Sequence, residues 1–281
     1  MSAGKDVAVA GATSSVDRGD EITAGERAYF AAVGLLAGVV GFPAYFAPAK
    51  VTKVLPFDVP PLHARFIGAV YLSGFAFMVC GLLARRWSAI RWVPLMTAIW
   101  TGGLLLITLL HHDDFDFTKT QTRVWFGAYV AYPLIGIWIL FNHRGDPTMD
   151  ERGPVPAAWA RQCLVAQGIV LTTAGLALLL APGPMADAWP WPVTSLLAQI
   201  YSAPVLAYGV GSLLLARVRT WRDMRVGVLA IALFAVGALV ASLIHLELFA
   251  ADDLAAWIWF GALGAIIAVA ALLAGSSRTS A

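Results

Sequence analysis

Two histidines each stand two residues before a carboxylate, His111 before Asp113 and His245 before Glu247, and the two pairs are separated by a constant 134 residues. In an extended stretch residues two apart point the same way, so each imidazole and carboxylate could hold one cation between them. A divalent metal ion is the cofactor that His111, Asp113, His245 and Glu247 would take. His112, Asp114, Asp116 and His63 add further donors, whereas no HExxH-type zinc pattern is present. The plainer reading is that apolar segments end in polar residues at the headgroup level and that these histidines are simply solvated. Arg65 and Arg123 begin two apolar segments, where a guanidinium must reach water or find a carboxylate. Asp113, Asp114 and Asp116 are near enough in sequence to serve Arg123. Arg65, His111, Asp113, Arg123, His245 and Glu247 together form the candidate ligand-binding set. No residue is assigned a catalytic role, because the chain has no GxSxG elbow, no phosphate-cradling loop and no aligned Ser/His/Asp set.

These residues join apolar runs that dominate the chain. Of its 281 residues, 59% are hydrophobic and 13% charged, and the runs reach the ~20 residues needed to cross a bilayer core. They are apolar all round and lack the period-two alternation of a barrel strand, so the expected class is an all-α integral membrane protein. Spans are expected at 28–46, 62–84, 92–110, 121–141, 161–180, 194–216, 226–244 and 254–274. Gly34 and Gly38 in the first form a GxxxG pair that reads as a packing face or as ordinary small-residue packing against lipid. Cys80 and Cys163 fall inside apolar runs and imply neither a disulfide nor a metal site.

The 134-residue offset relates much more than the histidines. Ala47-Pro48 meets Ala181-Pro182, Pro56 meets Pro190, Arg85, Trp87 and Arg91 meet Arg219, Trp221 and Arg225, and Trp125-Phe126-Gly127 meets Trp259-Phe260-Gly261. About a quarter of aligned positions are identical, against roughly one in ten expected for so apolar a composition, the signature of an internal repeat. The reading is therefore eight transmembrane helices as two tandem four-helix repeats, 28–142 and 161–276. A cytoplasmic linker at 143–160 joins them, with a disordered tail at 1–27 and a short tail at 277–281. Four spans per half is an even number, so the repeats enter from the same side and are parallel.

Fourteen of the 19 Lys and Arg residues lie on one set of alternating segments. The positive-inside rule puts that set, with both termini, in the cytoplasm of a multi-pass plasma-membrane protein, and the histidine segments outside. Trp189 and Trp191, with Trp125 and Trp259, read as an aromatic belt at the outer interface or as a lid over an apolar pocket.

Each half also shows an apolar helix ending in Ala-Pro, a proline-bearing loop, and a second helix, which in the first half opens Ala64-Arg65-Phe66-Ile67-Gly68-Ala69. This order resembles the small four-helix DoxX-like membrane proteins over the first two spans of each half. The second half has Gln199-Ile200-Tyr201-Ser202 where the Arg-x-x-Gly element would fall. The resemblance implies two four-helix bundles fused in tandem and an association with membrane redox complexes. The expected partners are the lipid bilayer and other subunits of a complex, without nucleic acid. The expected function is binding or transport of a small ligand or ion through a site opening to the outer face. The alternatives are an accessory subunit of a redox or export complex and, third, a membrane-embedded enzyme.

Overall fold

A computed structural model describes residues 21–57, 59–143 and 157–276. Most of the expected linker and both far termini lie outside the described residues. Within them the chain is all-helical, and eight helices are long and apolar enough to cross a membrane. They are α1 Ala24–Phe46, α2 Pro61–Leu83, α3 Val93–Leu110, α4 Thr120–Asn142, α5 Ala158–Leu180, α6 Ser195–Leu215, α7 Trp221–Ile244 and α8 Leu254–Ser276.

Their ends follow from local chemistry. Thr23 caps α1 reciprocally with Glu26, and Thr194 caps α6 by accepting from the Leu197 N–H. Prolines open α2 and α3, where a missing N–H costs no helical bond. α1 thus begins at Ala24, ahead of the expected 28, and takes Glu26 and Arg27 out of the tail. The capping box was legible as Thr23-x-x-Glu26 but precedes the apolar run.

The turns after α1 and α3 recur after α5 and α7 in backbone detail. Ala47 has φ/ψ of −138/61 and Ala181 −133/57; His111 has −114/35 and His245 −117/37. Each histidine is followed by one short 3₁₀ turn, His112–Asp114 or Leu246–Leu248. Gly41 approaches the backbone N of Leu72 as Gly175 approaches that of Leu206, with an added Cβ 3.1 and 2.9 Å away. Gly34 and Gly38 also face α2, against Met78 and Phe75, so the GxxxG pair is a packing face.

The larger packing crosses the midpoint of the chain. α1 packs along α2 and α5 along α6, α3 along α4 and α7 along α8, but α2 then lies against α7 and α6 against α3. Contacts between α2 and α3, consecutive in sequence, are slight. The first-half pairs α1–α2 and α3–α4 are therefore held apart by elements of the second half. The outward helix faces carry exposed side chains such as Leu35, Leu134 and Leu180, an apolar surface suited to lipid.

Candidate functional site

Starts of α2 and α6 meet ends of α3 and α7 at one end of the bundle, the histidine end, and the exchange of partners decides what the histidines do. The Arg65 guanidinium, through Nη1, donates to Nε2 of His245 at 2.6 Å. His245 is therefore the tautomer with its proton on Nδ1, which faces Glu247 Oε1 at 3.4 Å. At the equivalent place His111 Nε2 lies 2.5 Å from Gln199 Oε1. The Gln199 amide is oriented by donation of its NH₂ to the Leu179 carbonyl at 3.0 Å. The other His111 nitrogen, Nδ1, is 3.1 Å from Asp114 Oδ2. Both ring nitrogens of His111 thus face side-chain oxygens. Residues 65 and 199 correspond by the repeat offset, as do 111 and 245. One contact is made twice, with the donor on Arg65 in one copy and on the His111 ring in the other.

The rest of the expected set does not converge. Asp113 sits beside His112 at 3.5 Å with its carboxylate in the open, and Arg123 reaches Thr120 Oγ1 at 3.5 Å in place of an aspartate. Asp116 is engaged by the hydroxyl and backbone N–H of Thr118, at 2.5 and 3.0 Å, which hold its carboxyl below the usual carboxylate range. Among the described residues no three His, Cys, Asp or Glu side chains gather around a point that could hold a metal. Each histidine is followed by a tight 3₁₀ turn, which keeps Glu247 3.4 Å from His245 Nδ1 but sets the Asp113 carboxylate beside His112 instead of His111.

Of the four tryptophans expected at the outer interface, Trp189 and Trp259 are half-buried and two are turned inward. Trp125 and Trp191 are 5% and 2% exposed. Trp125 donates to Thr108 Oγ1, and Trp259 makes the corresponding bond to Ser242 Oγ. Trp191 packs edge-on against Phe66, Trp259 and the buried His63, whose Nδ1 lies 2.6 Å from the Tyr201 hydroxyl.

The Arg65 contact yields a direct test. Arg65→Gln recreates the Gln199 arrangement and should change stability by less than about 1 kcal/mol, whereas Arg65→Leu strands the His245 ring nitrogen and should cost about 2 kcal/mol. Thermal unfolding in detergent reads the difference, and equal losses for the two variants would reject the equivalence.

A second feature lies deeper, at mid-helix, where the first-half pairs are held apart. A narrow, mainly apolar cleft runs between α1, α2, α3, α4 and α6, and its polar lining comes from Tyr71, Thr97, Thr101, Tyr129, Tyr132 and Tyr208. The Tyr71 and Tyr129 hydroxyls bond to each other, and the Tyr208 hydroxyl bonds to Ser73 Oγ. At the opposite, arginine end of the bundle α1 is tied to α4 by His143 Nε2 on Glu26 Oε1 at 2.5 Å, and nearer the middle by the Tyr132 hydroxyl on the Ala32 carbonyl. Toward the histidine end the two helices part. Leu36 and Tyr129 line both the cleft and a wider opening bordered by Lys53, Thr120 and Gln121. Sequence reasoning passed over these tyrosines, since tyrosine within an apolar span is an ordinary packing residue. A signal was nevertheless present in the 134-residue offset, because five of the six polar lining residues belong to the first half and correspond in sequence to Val205, Ile231, Ala235, Leu263 and Ile266 in the second.

Comparison of the chain with known protein families, curated proteins and solved structures finds no match. The geometry alone defines the class, a multi-helix membrane-type bundle with a cleft open at one end.

Proposed function

We propose that this is a multi-pass membrane protein, derived from a duplicated four-helix unit, that binds or carries a small ligand in the first-half cleft. The carrying observation is the one-sided polarity of that cleft. Polar groups in a membrane interior cost free energy unless they are used, and the same scaffold manages without them in its second half. The repeated turn dihedrals, the paired Trp125–Thr108 and Trp259–Ser242 bonds and the doubled histidine contact support the duplication. The outer cluster of Arg65, His111, His245 and Gln199 then serves as the fastening of the two halves beside the mouth. Asp113, Arg123 and Glu247 remain exposed around it.

Ala37 lines the cleft, and Leu171 stands at the corresponding place of the second half, so leucine is compatible with the scaffold there. Solvent extracts of the purified protein should contain a small molecule near one equivalent per chain. Ala37→Leu should reduce it about tenfold, the effect of ~1.4 kcal/mol. Identical extracts from both proteins would reject the reading.

The arginine bias places the arginine end in the cytoplasm and the cleft mouth outside, in the plasma membrane. Ser88 is buried and would report poorly, whereas Arg85 and Thr118 are exposed. With Cys80 and Cys163 replaced by alanine, Thr118→Cys should react with an impermeant thiol reagent on intact cells and Arg85→Cys only after permeabilisation. The reverse pattern inverts the orientation.

A further inference from the structure

We infer that the ligand of the first-half cleft is an anionic glycerophospholipid taken from the bilayer, seated with its phosphate at Lys53, an ester carbonyl at the Tyr71–Tyr129 pair and an acyl chain in the apolar floor. The inference rests on the cleft being the working site. Its first support is a count of hydroxyl protons. Thr97 donates to the Val93 carbonyl at 2.8 Å, Thr101 to the Thr97 carbonyl at 2.7 Å and Tyr132 to the Ala32 carbonyl at 3.3 Å. Ser73 donates to the Val70 carbonyl at 3.1 Å, so it accepts the Tyr208 proton. Among the described residues the Tyr71 and Tyr129 hydroxyls, on side chains 6% and 3% exposed, have only each other. Two phenols bring two protons and one bond uses one of them, so one O–H is left without a protein acceptor. A buried donor in that state is costly, and a carbonyl oxygen of the occupant relieves it.

The second support is the order of chemistry along the opening. At the mouth stands Lys53, exposed and without an ion pair among the described residues, with the Thr120 hydroxyl and Gln121 amide beside it. The phenol pair comes next. Beyond it the floor is mainly apolar, with Val33, Phe77 and Met78, and the Thr97, Tyr132 and Tyr208 hydroxyls there are bonded within the protein. Cation, donors, one buried donor and hydrocarbon match phosphate, glycerol, ester carbonyl and acyl chain in sequence. The second half has Asp187, Leu254 and Ala255 at the positions of Lys53, Thr120 and Gln121, so the mouth chemistry is as one-sided as the cleft. α1 and α4 meet only lightly and are fastened away from the histidine end, which leaves a sideways entrance from the lipid phase for a single chain.

The test titrates delipidated, detergent-purified protein by native mass spectrometry with three probes: dioleoylphosphatidylglycerol, its diether analogue lacking both carbonyls, and oleate. One ester lipid should bind per chain, about tenfold more tightly than the diether or oleate, the worth of one well-placed hydrogen bond. The double variant Tyr71→Phe with Tyr129→Phe should erase the preference for ester over ether. Lys53→Ala should weaken phosphatidylglycerol several-fold while keeping that preference. Equal binding of ester and diether to the unmutated protein, tighter binding of oleate, or a preference that survives the double variant would overturn the inference. The unmutated comparison stands even if the double variant fails to fold. If all probes bind alike but Ala37→Leu abolishes them, the glycerolipid assignment falls and the cleft remains the site; if Ala37→Leu has no effect on binding, both fall.

Discussion

Gly68→Val should leave little folded protein in detergent. A Cβ at Gly68 would stand 2.6 Å from the backbone N of Tyr45 and 2.9 Å from its Cα. Those atoms belong to the α1 backbone and cannot turn aside as a side chain would. Relief requires α1 to move off α2, against a packing built from small residues and close backbone approach. The cost should be about 3 kcal/mol or more, at the upper end of core overpacking. Because α1 also forms one wall of the cleft, ligand retention should fall with stability. Gly127→Val is the control: an added Cβ there meets nothing within 4 Å, and the variant should unfold at nearly the parental temperature. Unfolding of Gly68→Val at the same temperature as Gly127→Val would contradict the α1–α2 approach.

Glu26→Ala is expected to be the next most damaging. Glu26 is 3% exposed and uses both oxygens: Oε1 accepts from His143 at 2.5 Å, and Oε2 accepts from the Thr23 backbone N–H at 2.7 Å. His143 lies flat on Trp87, with ring centroids 3.9 Å apart, so the carboxylate fastens α4 and the α2–α3 turn to the start of α1. Alanine removes the acceptor of the largely buried His143 ring and that of the Thr23 N–H in the capping box, and should cost about 3 kcal/mol. Glu26→Gln keeps one carbonyl oxygen and should lose about half as much. Chemical or thermal unfolding in detergent separates the two variants, and indistinguishable losses would mean that only one of the two bonds matters. With α1 and α4 released at the arginine end, the cleft should also lose its fixed width.

The class and the eight spans were legible because they depend on quantities local to the chain, run length and helix breakers at Pro48, Pro61 and Pro182, while the offset that relates Trp125 to Trp259 is a property of the sequence itself. The repeat could even have located the cleft, since Tyr71 against Val205 and Tyr129 against Leu263 stand in the same alignment. Charged residues at span ends are the stronger signal in an apolar chain, and they overshadow tyrosines within the spans. Spacing could not say how those turns would fold: in the 3₁₀ turns that follow His111 and His245, Glu247 stays beside its histidine while Asp113 turns into the open, so the two pairs do not repeat one arrangement.

The sequence by itself determined that the chain is a helical membrane-type protein of eight spans, that a 134-residue offset relates residues of its two halves, and that polar residues collect around His111 and His245. Tertiary structure alone decided that α2 packs on α7 and α6 on α3. That exchange hands His245 to Arg65 and His111 to Gln199, buries Trp191 beneath the turns, and holds α1–α2 away from α3–α4 so that a cleft opens between them. The physical reason is that hydrophobic runs specify burial in lipid without specifying a partner. Every span is apolar enough to pack on any other, and the choice rests on small residues at particular depths, such as Gly41, Gly68 and Gly175 at the close approaches of α1 to α2 and of α5 to α6, and on a few hydrogen bonds that exist only once the helices have met.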